Sequence, residues 1–332
     1  MIISKTPLRL SLIGGGTELP TWLASHEGLV IGGAINLYSY IYADKILPFH
    51  NYKSRLVYSE IETVKDNKEI RHRAINNVIK YLKMEDWPLE LFHSGSIPSK
   101  SGTGSSSTFI TGLIKALSSL KGDFLNNYQV AHGSISVEQD YMLEAVGEQD
   151  SVFAAFGGLN IIRFKGRHNF TVSPLLFNVQ NRNIVKEFEE HLLLFYMKEE
   201  RSSNEVTKGY INLLSLKEKE SDMFALLALA EKSIETIYKR DYEKLGNLID
   251  QSFRIKSKLP GVLTNRVSEI YAKARIYGAF GGKLMGAGQS GCLFLVIPPN
   301  KRQYIINEMV KEGLIHIPFQ WDFSGSQVIF AN

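Results

Sequence analysis

The segment Pro98-Ser-Lys-Ser-Gly102-Thr-Gly104-Ser105-Ser106-Ser107 constrains this chain most, because it joins a short expected strand, Leu89 to His93, to a long amphipathic run. Phe109, Ile110, Leu113, Ile114, Leu117 and Leu120 recur at three- and four-residue steps, so a helix is expected from about Ser105 to Leu120, with Gly122 as its stop. Glycines let the backbone turn tightly and approach a ligand, and the unpaired amides of a first helical turn favour an anion. A plain glycine turn with a serine N-cap needs one serine. Three in succession leave spare hydroxyls for phosphate or for a magnesium ion. No Gly-Lys-Ser or Gly-Lys-Thr occurs in the chain, which excludes a Walker motif and requires another phosphate-binding design.

At 332 residues the chain exceeds the size at which one hydrophobic core usually stops growing, so two domains are expected, 1–175 and 176–332. The formal charge of +4 is small, and the basic residues are scattered. Nucleic acid is therefore not an expected partner, whereas an anionic small substrate suits the balance. Cys292 is the only cysteine, which excludes an intrachain disulfide and a thiolate zinc cluster, and no two of the eight histidines stand at metal-ligand spacing. Apolar stretches such as Leu192 to Met197 and Phe224 to Ala230 fall short of the ~18 residues a membrane span needs, and the N-terminus lacks a signal-peptide pattern. A cytoplasmic location with no membrane partner is the expectation.

Strand segments are expected at Met1 to Ser4, Leu8 to Ile13 and Ala34 to Ala43, then a helical pattern from Glu69 to Met84. After the helix at Ser105, a second runs from about Asn127 to Val146, and Gly157 and Gly158 introduce a strand at Leu159 to Phe164. Farther on come a strand at His191 to Met197, a largely helical region from Asn204 to about Lys258, and a helix at Glu269 to Tyr277. A glycine-rich loop at Gly281 to Gly291 leads into a strand at Cys292 to Ile297. A helix near Tyr304 to Glu312 and a strand around Gln327 to Phe330 close the chain. Interleaved strands and helices in both halves indicate an α/β or α+β protein.

Four further features bear on chemistry. Glu138 lies on one helix face with Ala131, Ile135 and Met142, where a carboxylate is costly unless paired. It either snorkels to water or faces the serine loop and helps hold magnesium. Asp150 precedes the apolar segment Val152 to Phe156, as an N-cap or as an ionised base able to accept a proton from an attacking hydroxyl. Arg9 stands just before the turn Gly14-Gly15-Gly16-Thr17-Glu18, where it could meet an anion or orient a carboxylate, and Glu18 could accept from sugar hydroxyls; a solvated arginine and a helix-start glutamate are the plainer readings. Gly286-Ala-Gly288-Gln-Ser-Gly291 matches the dinucleotide fingerprint in letters, but its strand follows the glycines.

In this order the four stretches resemble the galactokinase, homoserine kinase, mevalonate kinase and phosphomevalonate kinase (GHMP) family. Gly102 to Ser107 looks like its phosphate-binding motif with Thr103 in place of the usual leucine, and Gly281 to Gly291 like its C-terminal glycine-rich motif. The resemblance implies a two-domain α+β fold, with an N-terminal mixed-sheet ATP-binding domain and a C-terminal ferredoxin-like α/β domain. Pro7-Leu-Arg9, Gly14 to Thr17, Glu144 to Asp150, Gly157 to Asn160 and Arg201-Ser202-Ser203 most resemble the heptose 7-phosphate kinases of the family. That implies transfer of the γ-phosphoryl group of ATP to the anomeric hydroxyl of D-glycero-D-manno-heptose 7-phosphate, for nucleotide-activated heptose and surface polysaccharide. The alternatives are a fucokinase-like or galactokinase-like enzyme, or a non-catalytic sugar- or nucleotide-binding regulator.

By the same resemblance Asp150 is the catalytic base with Arg9 beside it, and Gly102, Thr103, Gly104, Ser105, Ser106 and Ser107 cradle ATP. Ser106 and Glu138 hold Mg2+, and Arg9, Gly15, Gly16, Thr17, Glu18, Asp150, Arg201, Gly286 and Gly288 meet the sugar phosphate. A homodimer is compatible with this reading. Glu18 stands where aspartate is usual, Gln289 and Ser290 replace glycines, and Lys198-Glu199-Glu200 precedes Arg201 where a Thr-Gly pair is usual.

Overall fold

The computed structural model describes residues 1–98, 101–175, 182–197, 219–258, 263–286 and 291–332. Two sheets organise them, and the candidate site lies where they meet. The first has eight strands: β1 (Ile2–Ile13), β2 (Gly28–Lys45), β3 (Ser54–Val57), β4 (Ile61–Val64), β5 (Leu89–Gly95), β6 (Leu159–Phe164), β7 (Phe170–Pro174) and β12 (Gln327–Ala331). Their order is β12-β1-β2-β5-β3-β4, with β6 on the other half of the long β2 and β7 beyond it. Among the described strands only β3 and β5 run parallel, so the sheet is mixed.

The second sheet holds β8 (Leu192–Met197), β9 (Gly281–Leu284), β10 (Gly291–Val296) and β11 (Ile315–His316) in the order β11-β8-β10-β9, all neighbours antiparallel. Helices cross between β8 and β9 and between β10 and β11, which gives the split β-α-β pattern of a ferredoxin-like layer. The α+β architecture expected from the sequence is thus present, and β12 returns the C-terminus to the first sheet against β1.

The helices are α1 (Pro20–Leu23), α2 (Arg73–Tyr81), α3 (Ser105–Lys121), α4 (Asn127–Ser136), α5 (Gln149–Phe156), α6 (Arg182–Glu190), α7 (Glu220–Tyr238), α8 (Tyr242–Ser257), α9 (Asn265–Ile276) and α10 (Arg302–Lys311). Helix α3 has the expected length, because Ile110, Leu113, Ile114 and Leu117 bury its periodic face in one core with Ile41, Val78 and Leu91. Gly122, at a φ of 97°, closes it.

Several boundaries depart from the sequence reading. Met1 to Ser4 and Leu8 to Ile13 belong to one strand, because a bulge between Pro7 and Leu8 keeps the proline within the β1–β2 ladder. The helix expected from Asn127 to Val146 ends sooner: α4 passes at Val137 into a π-helical turn, Val137–Tyr141, and Leu143 adopts a φ of 54° that breaks it. The helical region expected up to Lys258 is divided, in its described part, by Arg240 at a φ of 56°, and residues 204–218 lie outside the described residues. Asp150 is not an N-cap but a first-turn residue of α5, following Glu148.

The loop expected to begin at Gly281 begins later, because Gly281–Leu284 form β9 along β10. The glycine that opens this strand is needed for close approach: a Cβ at Gly281 would overlap the Gly246 carbonyl oxygen of α8. Gly281→Ala is expected to force α8 off β9 and to cost about 3 kcal/mol or more of stability, as overpacking that backbone cannot relieve. Urea unfolding measures this, and a loss under about 1 kcal/mol, on the order of a surface substitution, would contradict the packing.

Candidate active site

Two backbone bonds fix the glycine–serine loop. The Arg9 amide of β1 donates to the Thr103 carbonyl at 3.2 Å, and the Cys292 amide of β10 donates to the Ser101 carbonyl at 2.8 Å, so the loop is tied to both sheets. Gly102 and Gly104 have φ values of 84° and 76°, which favour glycine. A Cβ at Gly104 would sit 3.1 Å from Arg9 Cγ and 3.2 Å from Asp150 Oδ2, so glycine also lets these two side chains meet. The first amide of α3 with a helical acceptor is that of Thr108, which donates to Gly104. The amides of Ser105 to Ser107 precede it, at the positive end of the helix dipole.

Arg9 is 4% exposed and uses its whole fork. Nε and Nη2 donate to Asp150 Oδ1 and Oδ2 at 2.7 and 2.6 Å, and Nη1 donates to the Gly102 carbonyl at 2.6 Å. One strand residue therefore locks the α5 carboxylate to the loop in a bidentate pair. Ser107 Oγ donates to Glu138 Oε1 at 2.6 Å and Ser151 Oγ to Glu138 Oε2 at 3.0 Å, with Ser134 and Thr111 continuing a buried chain of hydroxyls. Burial pushes the Glu138 carboxyl up to about 8, the Ser107 hydrogen bond partly offsets this, and Asp150 adds to it.

Glu138 and the exposed Ser106 both line a cavity of about 700 Å³. A carboxylate that resists ionisation in isolation, in the same cavity as an exposed hydroxyl, fits a hard cation. Among the described residues no group of three His, Cys, Asp or Glu could hold a metal by itself, so a magnesium–phosphate pair suits the site better than a protein-only metal centre.

Glu18 faces the same cavity with its carboxyl buried, accepting from the Gly16 amide and, at 2.6 Å, from Gln149 Nε2. Burial raises its pKa, and Lys256 pulls the other way. The extra methylene relative to aspartate is accommodated because Gly147 has no side chain: a Cβ there would lie 2.5 Å from Glu18 Oε1.

The cavity brings together Arg9, Gly15, Gly16, Glu18, Gly102, Gly104 to Ser107, Glu138, Asp150 and Gly286. Thr17 turns away from it, donating to the Gly14 carbonyl at 2.9 Å and accepting from the Leu29 amide at 3.0 Å. Thr103 is buried with its hydroxyl against Ser101 at 2.7 Å, so its contribution to the loop is structural. Arg201, Gly288, Gln289 and Ser290 lie outside the described residues, as do Ser99 and Lys100.

Sequence reasoning missed Lys256 of α8 and Lys283 of β9, which enter from the second sheet and its helix. It also missed an aromatic end where Phe109 packs edge-on with His93 at 4.7 Å and meets His72 at 5.2 Å, itself in contact with Tyr58. Burial lowers the pKa of both histidines, which favours their neutral rings. Only the Phe109 periodicity hinted at this end, and nothing local marked the lysines.

A glycine–serine turn at a helix start, a buried carboxylate joined to it through Ser107 and an arginine-held aspartate suit a phosphotransferase acting on small molecules. The profile of the GHMP kinases N terminal domain matches residues 70–158 and that of the GHMP kinases C terminal matches residues 233–315, together just over half of the sequence. The chain belongs to the GHMP kinase family. It is 28% identical over 320 residues to the D-glycero-alpha-D-manno-heptose 7-phosphate kinase of Campylobacter jejuni subsp. jejuni serotype O:2, covering 94% of each chain. It is 26% identical over 252 residues to the mevalonate kinase of Methanocaldococcus jannaschii, covering 73% of this chain and 72% of that one. The fold matches the D-glycero-D-manno-heptose 1-phosphate kinase structure from Bacteriodes thetaiotaomicron with a TM-score of 0.80 at 21% identity, over the full length of both chains. Kinases of this family take ATP as donor, generally with Mg2+. No helix among the described residues is long and apolar enough to cross a membrane.

Proposed function

We propose that this chain is a cytoplasmic, ATP-dependent sugar kinase that phosphorylates the anomeric hydroxyl of D-glycero-D-manno-heptose 7-phosphate. The product, a 1,7-bisphosphate, would feed nucleotide-activated heptose and surface polysaccharide synthesis. The observation that carries the reading is the Arg9–Asp150 fork fastened to the glycine–serine loop, beside the Glu18–Gln149 pair at the Gly15–Gly16 turn. Similarity to the Campylobacter jejuni heptose 7-phosphate kinase over 94% of both chains supports the choice of sugar.

The aromatic end formed by Tyr58, His72, His93 and Phe109 takes the flat nucleobase, and the triphosphate runs along Gly102 to Ser107. Asp150 keeps lone pairs beyond those that Arg9 occupies and accepts the proton of the attacking hydroxyl. Arg9 holds it in place and adds positive charge where the phosphoryl oxygens gather. Glu18 and Gln149 orient the sugar through its hydroxyls. Ser106 and Glu138 would hold Mg2+, which would supply charge neutralisation at the phosphates; together with positioning that is most of what phosphoryl transfer requires.

Release of ADP, measured across heptose 7-phosphate, unphosphorylated heptose, fucose and galactose, tests the assignment. A strong preference for the phosphorylated heptose is expected. Preference for a free sugar would replace the substrate while leaving a kinase, and no ADP release with any of them would remove the sugar-kinase reading.

A further inference from the structure

Lys256 and Lys283 are cations that the chemistry above leaves unused. Lys283 is 8% exposed, and neither ammonium makes a hydrogen bond or a close ion pair with a described residue. Burial lowers the pKa of both; Glu18 partly offsets this, while Arg9 lowers both further and Lys256 also lowers Lys283. A compact, strongly hydrated ammonium is a costly group to hold in such a place without an anion.

The charges that face them from the surrounding elements do not cancel. Arg9 of β1 and Asp150 of α5 neutralise each other in their bidentate pair. That leaves Glu18 as the one remaining carboxylate against two lysine side chains.

The space has a shape as well as a charge. A Cβ at Gly15 would fall 3.2 Å from Gln149 Nε2, 3.3 Å from Ser11 Oγ and 3.5 Å from Lys256 Nζ, so three potential donors gather around the Gly15 backbone in the wall of the cavity. Ser11 is 4% exposed, lines the cavity, and its hydroxyl has no partner among the described residues. A buried hydroxyl without a protein partner is unusual, and Ser11 Oγ is free to bond a group that enters the cavity.

We propose that Ser11, Gln149, Lys256 and Lys283 form the receptor for the acceptor's own phosphate, distinct from the loop at Gly102 to Ser107 that takes the triphosphate. This deepens the sugar-phosphate reading of the site and rests on it. It makes the enzyme selective for an acceptor already carrying a dianionic group, and it assigns that selectivity to α8, β9 and the first glycine turn.

The test uses the full chain with Lys256→Met, Lys283→Met and Ser11→Ala. For the lysine variants the KM for heptose 7-phosphate is expected to rise about 10–100-fold, the range of a lost hydrogen bond to a charged group, with the KM for ATP little changed. The preference for phosphorylated over free heptose should fall by the same factor. In thermal unfolding without ATP, heptose 7-phosphate should protect the unmodified protein and not the variants. Without ligand the lysine variants should melt no lower, since each loses an ammonium that has no hydrogen-bond partner among the described residues.

A fall in kcat that is equal for phosphorylated and free heptose, with KM for the phosphorylated sugar unchanged, would assign the lysines to the transferred phosphoryl group and overturn the proposal. Should a lysine variant fail to fold, Ser11→Ala carries the same test with a smaller expected rise, about 3–10-fold. If the unmodified protein turns over no sugar, the kinase assignment fails by itself. The anion site is then still decided by whether heptose 7-phosphate protects the unmodified chain and not Lys256→Met.

Discussion

Asp150→Asn is expected to lower kcat by about 10²–10⁴-fold, the usual contribution of a positioned base, while the affinity for ATP stays within a few-fold. The geometry makes the substitution sharper than a simple loss of charge. Arg9 donates from Nε and Nη2 to both oxygens of Asp150, so an asparagine presents one acceptor and sets its amide N–H groups against an arginine N–H. The fork opens on one side, and the residue loses both its basicity and its fixed orientation. Nη1 still reaches the Gly102 carbonyl and the Arg9 amide still meets Thr103, so the loop proposed to take the triphosphate keeps its anchors. Single-turnover kinetics with a parallel measurement of ATP binding separates the two effects. Turnover near that of the unmodified protein would take Asp150 out of the mechanism; loss of ATP binding would mean that the pair serves the loop and not the acceptor.

What can be read in advance follows from how locally each feature is encoded. The loop and α3 are legible because turn chemistry and helix periodicity both lie within a short window around Gly102 to Leu120. Arg9, Glu138 and Asp150 are each ambiguous alone, as surface arginine, snorkelling carboxylate or N-cap. Their roles depend on contacts 141 residues apart in the case of Arg9 and Asp150, which no window contains. The resemblance to a family supplies that long-range information.

Lys256 and Lys283 escape because nothing in a helix or a short strand distinguishes a lysine that faces water from one that faces a cavity. Their position is set by Gly246 and Gly281 meeting backbone to backbone, a contact visible only after the second sheet has formed. Glu18 shows the converse. As an isolated letter it departs from the usual aspartate, but Gly147, in a segment already singled out, provides the room its longer side chain needs. The π turn at Val137–Tyr141 is hidden because its apolar pattern is also that of an ordinary helix.

Glu138→Gln should separate the cation's role from that of the fold. A glutamine of the same size can accept from Ser107 or Ser151, and the connected hydroxyls of Ser151, Ser134 and Thr111 can reorient to receive its amide, so the core around α3 should survive. Magnesium-dependent turnover is expected to drop on the order of 10²-fold or more, with partial recovery as Mg2+ is raised. Stability gives a second, independent readout. Burial raises the Glu138 pKa from 4.5 to about 8, so between those values the folded chain holds a proton that the unfolded chain has lost. The contribution of this residue is therefore fully present below pH 4.5 and lost as pH rises toward 8, at a slope of at most about 1.4 kcal/mol per pH unit. Without metal or nucleotide, the unmodified protein should lose stability relative to Glu138→Gln across that window, and the difference should shrink when Mg2+ and ATP are added. A stability difference that is flat from about pH 5 to about pH 8, together with unchanged magnesium dependence, would show that Glu138 is an ordinary hydrogen-bonded core residue and not the acid that meets the cation.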